Sequence, residues 1–252
     1  MFADPSAYQR FMGRYSGPLA HEFAQATGVA PDSRVLDVGC GTGALTAVLA
    51  DSAGAENVAG VDPSEPFVEQ ARIRVPGADL RVAQAEALPF EDDTFDIAVS
   101  QLVFHFVSDP PKAAAEMARV TRPGGRVAAC VWDFSGGMTM IRAYWDAARE
   151  IDPNAPDEAE RFGGAPGQLA GLWRDTGVRD VQETVLTVSS DYTGFEELWS
   201  SFLGASGPIG VHLTSLDRSG QEALQAALHR RLGAPDGPFT LTASAWCAVG
   251  VV

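Results

Sequence analysis

The sequence predicts an α/β protein with a mostly parallel sheet covered by helices on both faces and a helical cap. Three observations carry this reading. Short apolar strands alternate with helices from residue 35 to residue 132, as buried parallel strands require. Gly39, Gly41 and Gly43 join the first strand to its helix; glycines there permit positive φ and let a ligand approach main-chain N–H groups at a helix N-terminus. Finally, 252 residues suffice for one full core with a small cap, not two independent domains.

Residues 1–15 lack periodicity and read as an irregular arm, and Ser16 to Thr27 reads as a helix with Leu19, Phe23 and Ala26 on one face. Val35, Leu36 and Val38 mark the first strand, and Ala44 to Ala50 the helix after the glycine turn. A strand at Val58–Asp62, a helix from Ser64 to Arg72 with Ser64 as its cap, and a strand at Leu80–Ala83 complete βαβαβ. Phe95–Ser100 (strand), Pro110–Val120 (helix), the turn Arg122–Gly125 and Arg126–Trp132 (strand) continue the alternation. Beyond it, Met138–Ile151 is helical with Ile141, Tyr144, Trp145 and Ala148 at helical spacing, and residues 152–167 form a loop rich in Pro, Gly and acid. A helix at Gln168–Asp175 leads to a strand near Val181–Val188, and Phe239–Val251 is the last strand. The roughly 50 residues between these strands exceed any hairpin loop, so they read as an insertion with two or more helices at 194–232. The expected organisation is an arm and helix over 1–30, a cofactor-binding core over 31–135, and the rest of the sheet over 136–252 with cap segments 136–165 and 192–235.

Lys and Arg number 18 against 33 Asp and Glu, a formal charge of −15. Such a field repels phosphate backbones and disfavours a nucleic-acid partner held by general electrostatics. Cys40, Cys130 and Cys247 stand singly, without metal-site or disulfide-framework spacing, so no metal and a reduced, cytoplasmic setting are expected. Met1 to Arg14 is too polar for a signal peptide, and no stretch approaches the roughly 20 apolar residues of a membrane span.

Gly39-Cys40-Gly41-Thr42-Gly43-Ala44 satisfies the loose dinucleotide pattern, so two cofactor classes compete. Asp37 discriminates: a carboxylate at the strand tip repels a pyrophosphate and suits a cationic ammonium or sulfonium. Asp62, ending the second strand, is placed to accept ribose hydroxyls and serves either class.

Val-Leu-Asp-Val-Gly-Cys-Gly-Thr-Gly at 35–43, Val-Asp-Pro-Ser at 61–64, Ala-Glu-Ala-Leu-Pro-Phe at 85–90, Asp-Asp-Thr-Phe-Asp at 92–96 and Arg-Val-Thr-Arg-Pro-Gly-Gly at 119–125 together resemble the class I S-adenosylmethionine-dependent methyltransferases. The small-molecule branch with the ubiquinone and menaquinone methyltransferases is the nearest likeness. The resemblance covers roughly residues 10–135 and is specific for the cofactor, not for the acceptor. It implies a Rossmann-like three-layer sandwich with a seven-stranded sheet, the last strand antiparallel and inserted beside its neighbour. It also implies S-adenosyl-L-methionine as cofactor and S-adenosyl-L-homocysteine as product. Gly39, Cys40, Gly41 and Gly43 would pass under the methionine portion, oriented by Asp37 directly or through water. Asp62 would hold the ribose, and Pro63 or Ser64 would border the adenine. Where the family commonly has an Asp before Ala-Glu this chain has Gln84, so the adenine contact falls to Gln84 with the backbone of Ala85, next to Glu86. Gln101 would pass the methionine carboxylate and sulfonium, and the arm from Tyr8 to Tyr15 would bring Arg14 to that carboxylate.

Methyl transfer is an in-line displacement whose main demands are alignment and exclusion of water. His105, between Phe104 and Phe106, is either a base for an acidic acceptor or a pocket-wall residue. Phe11, Met12, Trp132, Met138, Tyr144, Trp145 and Trp199 are the candidate acceptor pocket, which suits a small apolar or aromatic molecule; the competing reading packs these aromatics as cap core. A nicotinamide-dependent oxidoreductase and a catalytically inactive cofactor-binding regulator are the alternative functions. Monomer and homodimer stay open.

Overall fold

The computed structural model describes residues 9–203, 205 and 207–252, with Gln9 and Arg10 as backbone alone. A π-helical turn at Gln9–Gly13 leads into α1 (Arg14–Thr27). Then follow β1 (Val35–Val38), α2 (Ala44–Ala53), β2 (Val58–Asp62), α3 (Glu65–Arg74), β3 (Asp79–Val82), β4 (Phe95–Gln101), α4 (Pro110–Val120) and β5 (Thr121–Trp132). The second half comprises α5 (Thr139–Ile151), α6 (Gln168–Asp175), β6 (Arg179–Tyr192), α7 (Phe195–Leu203), α8 (Pro208–Ser215), α9 (Arg218–Arg231) and β7 (Phe239–Val251).

The seven strands form one sheet in the order β3-β2-β1-β4-β5-β7-β6. β1 pairs in parallel with β2 and β4, and β7 runs antiparallel to β5. The order reverses at β1, which places the glycine turn at the crevice where open α/β sheets bind ligands.

The chain divides into two compact units. One holds Met1–Ser16, Asp133–Arg161 and Thr187–Ser244; the other holds Gly17–Trp132, Phe162–Leu186 and Ala245–Val252. In the second unit the apolar residues Leu36, Val38, Ala98, Val127, Ala129 and Val131 on one face of the sheet pack with Met117 of α4 and Trp173 of α6. Cys40 and Leu80 pack with Val68 and Ala71 of α3.

Several of the later sequence motifs prove to be joints of this unit. The Arg119 guanidinium donates to Phe90 O at 2.9 Å, to Leu88 O at 3.2 Å and to Asp92 at 2.7 Å, and also pairs with Glu116. Asp96 accepts the Arg34 N–H at 2.7 Å and pairs with Arg122. The Arg119 contacts tie residues 88–92 to the end of α4, and Asp96 joins the residue before β1 to the start of β5.

Some boundaries differ from expectation. The arm is not irregular at Gln9–Gly13, and α1 begins at Arg14, because Phe11, Met12 and Tyr15 are all buried and a π turn spaces them off the 3.6-residue period. Ser64 occupies the N-cap of α3 but its side chain makes no cap bond. The turn at Arg122–Gly125 loops out within β5: β4 advances from Phe95 to Ile97 while β5 advances from Thr121 to Arg126. β6 runs on to Tyr192 through Ser189, Ser190 and Asp191, polar residues tolerated on a strand at the sheet edge. The insertion holds three helices, α7 to α9.

Candidate cofactor site

The turn after β1 is built by backbone bonds to β2. The N–H groups of Gly39 and Cys40 both donate to Val61 O, at 2.7 and 2.9 Å. Asp62 then reaches back: Oδ2 accepts the Gly41 N–H at 3.0 Å, and Oδ1 accepts the Ser64 N–H at 2.8 Å. Gly39 (φ 79°) has no room for a side chain, since a Cβ would lie 2.2 Å from Val103 Cγ2. Gly41 (φ 53°) differs, because a Cβ there would meet nothing within 4 Å among the described residues. The bend is closed on the protein side at Gly39 and open at Gly41.

Asp37 lies in the middle of β1 with 1 % exposure and accepts a 2.7 Å bond from Thr46 Oγ1, in the first turn of α2. Burial pushes its carboxyl up to about 7 and the charge of Asp62 adds to this, while the Thr46 bonds oppose it. Asp62 is also raised, first by burial, against the stabilising N–H groups of Ser64 and Gly41. Neither carboxylate has an ion pair among the described residues. Two acids 25 positions apart in sequence thus share one loop without a balancing cation. A nucleoside fits this set through its ribose hydroxyls and a sulfonium through its charge, whereas a pyrophosphate fits neither acid.

The remaining expected residues fall into distinct places. The Cys40 side chain is buried among Val68, Ala71 and Leu80, and burial pushes its thiol up, so only its backbone belongs to the loop. Pro63 is exposed beyond β2, Gln84 is exposed, and its carbonyl accepts the Ala87 N–H in a turn; Ala85 packs on the adjoining core. Glu86 has other partners: its Oε1 accepts Ser108 Oγ at 2.8 Å and the N–H groups of Ser108 and Asp109, which secures the start of α4. Gln101 ends β4 opposite Cys130, with its Oε1 buried. Leu102 follows at φ 63°, a left-handed conformation costly for a leucine, with its N–H bonded to Cys130 O at 2.8 Å. His105 is buried and its Nδ1 lies 2.8 Å from Phe162 O; a carbonyl only accepts, so Nδ1 carries the proton and Nε2 is the basic nitrogen of the neutral ring.

Arg14, Phe11, Met12, Met138, Tyr144, Trp145 and Trp199 belong to the other unit. Arg14 donates to Ser190 Oγ (2.6 Å), Asp191 O (2.6 Å) and Glu197 (2.9 Å), and its guanidinium lies 3.8 Å over the Tyr192 ring. The expected pairing of Arg14 with a cofactor carboxylate therefore competes with a full set of protein partners. The aromatics form that unit's own core: Phe202 contacts Phe11, Tyr144 and Trp199, with ring centroids 5.8, 5.0 and 6.4 Å apart. Tyr144 bonds His212 Nδ1 at 2.8 Å, and Trp145 Nε1 donates to buried Glu158 at 3.0 Å. Met138 is fully buried, and Trp132 is buried in the second unit. Tyr8 lies outside the described residues.

Sequence reasoning missed Thr46, Val103 and Phe162, which hold Asp37, Gly39 and His105. Thr46 had a legible signal, a hydroxyl in the first turn after the glycines on the sheet-facing side of α2. Val103 and Phe162 had none, because loop trajectories bring them in.

Among the described residues no group of three His, Cys, Asp or Glu side chains could hold a metal ion, and no helix is long and apolar enough to cross a membrane.

A reversed parallel sheet with a glycine turn at its switch point and an acid ending β2 is a Rossmann-like α/β architecture. Residues 36–129 match the family model described as a methyltransferase domain. The chain is 42 % identical over 102 residues to a demethylmenaquinone methyltransferase of Renibacterium salmoninarum, covering 40 % of this chain and 42 % of that one. It is 37 % identical over 120 residues to a malonyl-[acyl-carrier protein] O-methyltransferase of Methylococcus capsulatus, covering 46 % and 43 %. The chain spans about half the length of the curated relatives it matches. The solved YcgJ protein of Bacillus subtilis shares the fold, with a TM-score of 0.59 at 20 % identity over 94 % of this chain and 97 % of that one.

Proposed function

We propose that this protein transfers a methyl group from S-adenosylmethionine to a small apolar or aromatic acceptor. The observation that carries the reading is the open face of Gly41, bounded by Asp62 and backed by Asp37, with no ion pair to either acid among the described residues. When bound, S-adenosylmethionine supplies an electrophilic methyl carbon on a good leaving group, and the protein's work is alignment and exclusion of water.

In this reading the backbone from Gly39 to Gly43 cradles the methionine portion and Asp62 takes the ribose hydroxyls with lone pairs left over from Gly41 and Ser64. Pro63, Gln84 and Ala85 border the adenine, and Gln101 stands by the methionine end. Asp37 acts through Thr46 and the field at the loop. Arg14 anchors the arm through Glu197 and Tyr192 instead of holding the cofactor carboxylate. With Nδ1 committed to Phe162, His105 has the tautomer a base needs for a phenol or enol acceptor. The name of one relative, a demethylmenaquinone methyltransferase, supports a small apolar or aromatic acceptor.

A panel of phenols, quinols and acyl acids, scored by S-adenosylhomocysteine formation, tests the acceptor class. Turnover with members of the panel is expected. Turnover confined to macromolecular or strongly charged acceptors overturns the acceptor reading, and cofactor binding without turnover on any acceptor favours an inactive regulator.

A further inference from the structure

Cys130 and Cys247 face one another across β5 and β7, and they occupy the type of cross-strand position at which two thiols can be joined. Their Cα atoms are register partners. The hydrogen-bonding phase of the ladder follows from its ends: Val252 N–H donates to Gly125 O, and Asp133 N–H to Ser244 O. Bonded pairs therefore fall at odd positions of β5, and Cys130↔Cys247 is a non-bonded pair. Independently, Cys130 turns its carbonyl toward β4, where it accepts the Leu102 N–H at 2.8 Å. In an antiparallel ladder such pairs have the closer Cα atoms, about 4.5 Å apart, with side chains on one face, and disulfides span Cα separations of about 4.4–6.8 Å. Both residues are buried, at 0 % and 1 % exposure. Cys40 packs elsewhere, against α3.

The same cross-strand row continues into β4, since Cys130 is also the register partner of Gln101. Cys130 O fixes left-handed Leu102, and the next residue, Val103, fills the space behind Gly39. A change in the backbone at Cys130 thus reaches the glycine turn through two neighbouring residues of the same unit.

We infer that Cys130 and Cys247 are a redox-sensitive modification site, which peroxide or a small disulfide oxidant closes into a cross-strand disulfide that loosens the cofactor turn. The step removes one proton and one electron from each thiol and forms one S–S bond; hydrogen peroxide takes up both electrons and both protons to give two waters. Burial keeps both thiols protonated and slows attack, so the oxidant must be small. The effect on the turn rests on the proposed cofactor site, whereas disulfide formation does not.

The test treats the folded, full-length protein with hydrogen peroxide, then counts free thiols after denaturation, measures the intact mass and maps linked peptides. Free thiols fall from three to one, the mass drops by two hydrogens, residues 130 and 247 become linked, and dithiothreitol reverses the change. Titration with S-adenosylhomocysteine shows affinity about tenfold weaker in the oxidised form, and Cys247→Ala protein shows no such loss on the same treatment. Three persisting thiols, oxygen addition in place of a link, or a link to Cys40 overturns the site. A disulfide with unchanged affinity overturns the coupling. Absence of binding by the reduced protein instead counts against the cofactor reading and leaves the thiol result standing.

Discussion

Asp62 Oδ2 accepts the N–H of Gly41 at 3.0 Å, so the end of β2 holds the turn that follows β1. Its other oxygen accepts the Ser64 N–H, and one carboxylate thereby shapes two loops. Asp62→Ala frees both N–H groups. Hydrogen bonds to a charged group contribute about 1.5–3 kcal/mol each at most, less here because the freed N–H groups can meet water. The expected outcome is a loss of about 1–3 kcal/mol in urea unfolding together with loss of S-adenosylhomocysteine binding. Unchanged stability would remove Asp62 from the role of loop clamp.

Gly39 and Gly41 are only two residues apart, but one is packed against Val103 and the other faces open space among the described residues. Gly39→Ala drives a methyl into Val103 and strains a positive φ, costing roughly 2–5 kcal/mol from overpacking and strain together; adding Val103→Ala recovers part of it. Gly41→Ala enters open space and costs about 1–2 kcal/mol, yet abolishes cofactor binding. Thermal unfolding alongside titration of both variants checks the contrast.

Asp37 makes the stability of the cofactor-free protein depend on pH. Its folded value of about 7 lies above the ordinary 3.8, so its protonated form favours the fold. That contribution is complete below about pH 4 and is lost as pH rises through 7. Asp37→Asn removes the titration. Between pH 4 and 7.5 wild-type stability should therefore decline relative to the variant, as read by urea midpoints at fixed salt; parallel profiles would contradict the assignment. Taking the difference cancels carboxylates such as Asp96 and Asp157, whose partners shift them the opposite way.

Arg14→Ala removes three hydrogen bonds and the cation over Tyr192. It should lower stability by about 1–2 kcal/mol, and Arg14→Lys should not restore it, because a point charge cannot reproduce the fork. If instead Arg14→Ala leaves stability intact and specifically weakens binding of the cofactor's methionine end, the carboxylate role is the right one.

The alternation of strands and helices was legible because buried parallel strands such as Val58–Asp62 have no polar face to disguise them. The polar extension of edge strand β6 from Ser189 to Tyr192 and the π turn before α1 were not, since neither carries the expected period. At the site, Asp62 could be placed from its distance past the glycines. Thr46 carried a signal as the partner of Asp37, but the partners of Glu86 and Arg14, which come from segments 22 and 183 positions away, carried none. The aromatics of the second half gave helical spacing alone, which cannot separate pocket from core; in their own unit they pack on one another.

The central claim is that the turn from Gly39 to Gly43 seats S-adenosylmethionine, and isothermal titration measures it most directly. Saturable one-to-one binding of S-adenosylmethionine and S-adenosylhomocysteine, absent in Gly41→Ala protein that still unfolds cooperatively, is the predicted result. Binding of NAD or NADP in their place, or equal binding by Gly41→Ala, would contradict it.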